Sequence, residues 1–283
     1  MNNETMREPD FVPVFIYGAT FAGLGIAIAN PNETFLAEPT SLVGSEFIAS
    51  FNPGESWEKP LISEAAIDLQ NDLIRRNVLS ENGHVHLPPI APVLLQLIRT
   101  KNLNIKMMTK IVDVQPSPKG YEITFYNSSG LQKIEAGAIV DTTATCASSP
   151  AQQVPIQYRK VNAMLHCADP QKLPKLEDES VELVAGLFPG EVILKLDVDE
   201  NDGWIEARQK LHEYWLHRPK VLSSWILAAV ADSFEIGVLT GSHQVANSWT
   251  WFPSAAYSNL LHAFDAGQLL VKVGETNAAI AAR

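Results

Sequence analysis

Residues 15–39, FIYGATFAGLGIAIANPNETFLAEP, decide the fold. The run FVPVFIYG (11–18) is apolar nearly throughout, the pattern of a strand buried on both faces of a parallel sheet. FAGLGIAIAN supplies small and apolar residues suited to a helix. Pro31 cannot continue that helix and disfavours helical geometry at Asn30. TFLAE (34–38) follows as a second strand, so the stretch reads as a βαβ unit. Its glycine turn suits a dinucleotide, because a helix N-terminus offers free N–H groups and a positive dipole end to a pyrophosphate. Gly18 makes the tight turn, and Gly23 lets the helix pack close to the sheet. Thr20 stands where the pyrophosphate comes nearest and where glycine is usual. Glu38, 20 residues after Gly18, is spaced to accept hydrogen bonds from a ribose. The plainer reading is a βαβ unit that only packs helix on strand.

Composition narrows the classes around this unit. At 283 residues, 46% of them hydrophobic, the chain can form one large domain or two interleaved ones. A formal net charge of −11 disfavours a nucleic-acid partner, whose phosphates call for a basic surface. No apolar run is long enough for a membrane span, and the polar start MNNETMREPD lacks the form of a secretory signal. Cys146 and Cys167 lack metal-knuckle spacing and read as reduced, packed thiols of a cytoplasmic protein. No metal site is expected.

Downstream, SEAAIDLQNDLIRRN reads as a helix capped by Ser63, and a further helix is expected over 91–100. Residues 104–143 form an antiparallel meander with turns at SPKG and NSSG, closing on the buried strand AGAIVDTT. QYRKVNAMLHC and GEVILKLDVD are strand candidates. DGWIEARQKLHEYWLHRP and VLSSWILAAVADSF read as helices. FEIGVLTG is a short strand, NSWTWFP an aromatic loop, and 254–273 a last helix.

The motif IYGATFAG resembles the N-terminus of the FAD-dependent oxidoreductases with two dinucleotide-binding domains, one branch of which carries threonine at the middle position. Phe21 replaces that branch's proline. AEPTSLVGS is similar to the branch's segment after the second strand, with Gly44 matching and Ser45 departing from a second glycine. AGAIVDTTATC resembles the family's strand end: Asp141 and Thr143 match, Thr142, Ala144 and Thr145 do not. The resemblance implies an α/β fold of the FAD/NAD(P)-binding Rossmann-like type, with a small meander and a reduced second α+β region. It implies FAD as cofactor, held by Gly18, Thr20, Phe21, Gly23, Glu38 and Pro39, then Gly44, Ser45 and Thr143. Backbone near Val112 would touch the adenine. Ser254 and Ala255, at the start of the last helix, would offer N–H groups to the flavin O2. The family's Gly-Asp after the late strand corresponds to Gly241-Ser242, without the acid.

The implied division is a discontinuous FAD-binding domain, 1–147 and 236–283, and a small substrate, cap or interaction region, 148–235. The implied reaction is oxidation of a small organic substrate by hydride transfer to flavin. So short a middle region leaves the flavin site open, or covered by a second copy or a partner subunit. His243, near the expected flavin loop, is the candidate for proton transfer. Two alternatives stand: a degenerate, non-catalytic subunit of an assembly, favoured by Ser45, Ala144 and Ser242, and an NAD(P)-dependent dehydrogenase, disfavoured by the meander.

Overall fold

The computed structural model describes residues 11–169 and 172–281, the side chains of 271–281 excepted. The polar N-terminal stretch falls outside these residues. The apolar run at the start forms β1 (Phe11–Tyr17), and Thr20 then caps α1 (Phe21–Ala29) by accepting the Gly23 N–H at 3.0 Å. Next come β2 (Thr34–Ala37), the single turn α2 (Ser45–Ile48), α3 (Glu64–Arg75) and α4 (Ile90–Thr100). Ser63 caps α3 as its sequence position suggests, accepting the Ala66 N–H at 3.3 Å. The two-residue strand β3 (Ile105–Lys106) leads into the meander β4 (Lys110–Ser117), β5 (Gly120–Asn127) and β6 (Gly130–Asp141).

The second region contributes β7 (Ile156–His166), β8 (Val181–Ala185), β9 (Glu191–Val198), α5 (Trp204–Leu216), β10 (Ile226–Val230) and β11 (Glu235–Val238). The chain then returns through β12 (His243–Ala246), β13 (Trp249–Trp251), a 3-10 turn at Ser254–Ala256 and α6 (Leu260–Ala281).

Two sheets result. The larger runs β12-β13-β6-β1-β2-β3, parallel from β13 to β3, with β5 and β4 continuing antiparallel from the first half of β6. One face packs on α1, α3, α4 and α6 around Phe21, Leu24, Phe47, Leu73, Leu94 and Phe264. The other face packs Phe15, Phe35 and Ala37 against meander residues Ile123, Phe125 and Ile134. The smaller sheet, β10-β7-β9-β8 with β11 also on β7, covers α5 through Val161, Leu165, Leu194 and Leu211.

Three sequence expectations change. VLSSWILAAVADSF is not a helix: its Leu and Ala residues favour one locally, but residues 226–230 pair with β7 as an antiparallel strand. The aromatic loop NSWTWFP contains β13, which lies parallel to β6 with Trp249 opposite Ile139. The last helix begins at Leu260 rather than Ser254, because the Asn259 side chain accepts the Leu261 and His262 N–H groups at 3.0 and 2.9 Å.

Candidate functional site

The parallel strands β2, β1, β6 and β13 end on the same edge of the sheet, where an open α/β sheet presents its ligand crevice. Gly18 turns the chain there with φ +105°. A Cβ on Gly23 would lie 2.2 Å from the Gly18 carbonyl oxygen, so only glycine permits this approach of α1 to the turn. Thr142, just after β6, fills the space between them. Its hydroxyl accepts from Thr20 Oγ1 at 2.7 Å and reaches the Gly18 carbonyl at 3.0 Å.

Glu38 caps the end of β2 and is 2% exposed. Its Oε2 accepts the Ala19 N–H at 2.7 Å, and its Oε1 accepts the N–H and hydroxyl of Thr40 at 2.7 and 2.6 Å. Burial raises its pKa above the ordinary value, against the lowering effect of these hydrogen bonds. Asp141, at the end of β6, is turned inward. It accepts the Thr143 N–H and hydroxyl at 2.8 and 2.6 Å and the Ser148 N–H at 2.6 Å, so it braces its own loop.

The N-terminus of α1 is where this site departs from the sequence expectation. The Phe21 N–H donates to Glu46 Oε1 at 2.8 Å, and the Ala22 N–H donates to Ser254 Oγ at 3.1 Å. Ser254 Oγ in turn donates to the same Glu46 oxygen at 2.6 Å. With Gly23 bonded to Thr20, the first three N–H groups of the helix are all satisfied by the chain itself. Glu46 Oε2 is buried without a hydrogen-bond partner among the described residues. Burial pushes the Glu46 carboxyl up to about 7, opposed by the bonds from Ser254 and Phe21 and reinforced by the charge of Glu38.

A cleft of about 430 Å³ opens over this edge. Thr20, Glu38, Pro39, Ser45, Thr143 and Ala255 all line it, as the sequence implies, and Glu46 lines it without having been singled out. Trp204, Phe234 and Ile236 of the second region form an apolar wall, the first two rings in edge contact at 4.9 Å. Among the described residues, the acids in the lining are Glu38, Glu46 and Asp232, with no lysine, arginine or histidine beside them.

Other expected residues sit elsewhere or act differently. Phe21 is fully buried, its ring edge-on to Phe47, so it contributes its N–H and not its side chain. Gly44 precedes α2 and donates its N–H to the Ala19 carbonyl at 2.8 Å. Val112 lies on β4, 60% exposed and outside the lining of the cleft. His243 lies on β12, its ring 5.0 Å from Trp251, also outside the lining. The Ser254 N–H donates to the Thr142 carbonyl at 3.0 Å, so it is not free to meet a ring oxygen. The strand beside β6 is β13, so the position after the late strand is Phe252–Ser254 in sequence, not Gly241-Ser242. Glu46 was legible only as an acid in GSE; nothing local shows that it reaches a helix 25 residues earlier.

The same architecture recurs among solved structures. Glycine oxidase from Geobacillus kaustophilus superposes with a TM-score of 0.65 at 12% identity, over 95% of each chain. The chondrochloren halogenase CndH, a myxobacterial FAD-dependent halogenase, matches with a TM-score of 0.58 at 14% identity, over 93% of this chain and 74% of its own. BexE, which acts in oxidation during BE-7585A biosynthesis, matches with a TM-score of 0.59 at 14% identity. This chain spans 91% of itself but only 60% of BexE. The chain has the fold of the FAD-dependent oxidoreductases. No protein-family model matches it, and no curated protein matches it in sequence.

Tested against FAD, this FAD-oxidoreductase fold divides into two parts. The adenosine end fits: a glycine turn, a close-packed helix and a buried carboxylate at the end of β2 share one cleft. The diphosphate does not fit while Glu46 and Ser254 occupy the N–H groups that would receive it.

Proposed function

We propose that this chain is an FAD-binding oxidoreductase, or one subunit of an oxidoreductase, acting on a small organic substrate. The observation that best supports this is the buried Glu38 carboxylate, held against the Gly18–Thr20 turn at the ligand edge of a parallel sheet. A carboxylate has roughly four acceptor sites, and the chain fills three of those on Glu38, leaving capacity for a ribose hydroxyl. Pro39 and Thr143 also line the cleft, and Trp204 and Phe234, edge to face, give it an apolar wall. Bound flavin would supply the acceptor for a hydride from the substrate. The chain's own part is to exclude water with Trp204, Phe234 and Ile236 and to fix the adenosine with Glu38.

A second reading has its own support. Three carboxylates and no cation in the lining suit poorly a ligand that carries two phosphate charges. A non-catalytic subunit that keeps the flavoprotein frame but not the cofactor would show such a cleft. The full-length protein, mixed with excess FAD and desalted, separates the two. Retained flavin absorption in the visible is the outcome expected of the first reading. A colourless protein that also gives no heat of binding with FAD overturns it.

A further inference from the structure

The N–H groups of Phe21, Ala22 and Gly23, the first three residues of α1, each have an acceptor within the chain, and that of Phe21 is a carboxylate. A carboxylate at a helix N-terminus and a phosphate at the same place answer the same need, since both put negative charge against the dipole end. Glu46 comes from α2, the element that follows the acid of the dinucleotide unit, and Ser254 from beyond the last strand of the sheet. The two meet over α1 through a 2.6 Å hydrogen bond. The arrangement is therefore tertiary and closed on itself. Oε1 takes both donors, while Oε2 is buried without a hydrogen-bond partner among the described residues, on a side chain that lines the cleft.

We propose that Glu46 determines what this cleft accepts: its carboxylate stands in the diphosphate seat, and FAD enters only when that side chain turns out of it. The inference rests on the FAD reading above and goes past it, because it assigns to one residue the strength with which a diphosphate is held. Displacing Glu46 sets its charge free of two hydrogen bonds, and leaving it in place sets it against two phosphate charges at contact distance. Either way FAD binds more weakly than the frame alone would allow. Adenosine and riboflavin lack the diphosphate and do not reach the seat, so Glu46 leaves their binding alone.

The test is calorimetric titration of the full-length apo-protein with FAD, ADP and adenosine, in wild type, Glu46→Ala and Glu46→Gln. Glu46→Ala empties the seat, and its dissociation constants for FAD and ADP are expected to fall at least tenfold, with that for adenosine unchanged. Glu46→Gln keeps the shape and an acceptor for the Phe21 N–H while removing the charge, so it guards against a folding defect in the alanine variant. Its affinity for ADP is expected between the two. Unchanged or weaker binding of FAD and ADP in both variants, with native circular dichroism, overturns the role of Glu46 and leaves the FAD reading standing. Adenosine binding without any FAD or ADP binding in all three proteins also overturns it. If none of the three ligands binds any of the proteins, the FAD reading itself fails and the inference fails with it.

Discussion

Glu46 is a half-buried acid, one of its carboxyl oxygens fully enclosed, whose two states differ in what they do to the fold. Its carboxyl titrates near 4.5 in ordinary surroundings and near 7 here, chiefly because burial disfavours the charge. Between those values the folded chain holds more protons than the unfolded one, so this group's contribution to stability falls as pH rises from about 4.5 to about 7. Below and above that window its contribution is flat. Glu38 also faces the site, from the end of β2, and burial raises its pKa as well, so its contribution has the same sign. Asp232 is the remaining acid in the lining. Glu46→Gln removes only the share of Glu46. The stability of this variant relative to wild type is expected to grow by roughly 3 kcal/mol at most between the ends of the window. Urea unfolding at several pH values measures it, and two parallel curves would refute the assignment.

Helices α1 and α6 meet backbone to backbone. A Cβ on Gly25 would stand 2.2 Å from the Phe264 carbonyl oxygen, and one on Gly267 would stand 2.2 Å from that of Ala22. Gln268 Nε2 donates to the Gly25 carbonyl at 2.6 Å across the same seam. Gly267→Val forces the helices apart, and since α1 carries the glycine turn, it also disturbs the cleft. Its expected cost is about 1–3 kcal/mol, the usual range for overpacking a tight interior, read as a lower urea midpoint. An unchanged midpoint would show that the seam yields freely. The helix α1 was legible because its apolar and small residues are continuous and its stop at Asn30–Pro31 is local. The seam was not, because a glycine in a helix carries no signal of the partner that comes within reach of it. The strand β10 misled for a related reason: its residues favour a helix, and pairing with β7 overrides that preference.

The two sheets are joined by polar contacts as well as by a small apolar cluster, in which Ile236 and Val238 of β11 pack with Cys146, Val245 and Trp251. Asn162 of β7 donates through Nδ2 to the Ser50 carbonyl at 2.8 Å and to Glu235 Oε2 at 2.6 Å. Lys195 of β9 pairs with the other oxygen of Glu235 at 2.7 Å, with the two side chains only 11% and 3% exposed. The N–H of Asp232 donates to the Ala49 carbonyl at 2.8 Å, just after α2. The second region is thereby tied to the segment that carries Glu46. Lys195→Met leaves Glu235 charged, buried and short of its cation. It is expected to cost roughly 3–5 kcal/mol in chemical denaturation, the usual consequence of removing one partner from a buried pair. A loss under about 1 kcal/mol would mean that the pair behaves like a surface one. Among the described residues, no helix is long and apolar enough to cross a membrane, and no group of three or more His, Cys, Asp and Glu is placed to hold a metal ion.

The sequence by itself determined the βαβ unit, the glycine turn, the acid at the end of β2 and the meander. Each of these rests on neighbours within a few residues, on period and on backbone geometry, which sequence carries directly. Only the tertiary structure decided what fills the start of α1. Glu46 lies 25 residues from Phe21 and Ser254 lies 232 from Ala22. Hydrogen bonds over such separations depend on where whole elements come to rest, so a frame built for a diphosphate and the carboxylate that occupies it could be read together only after folding.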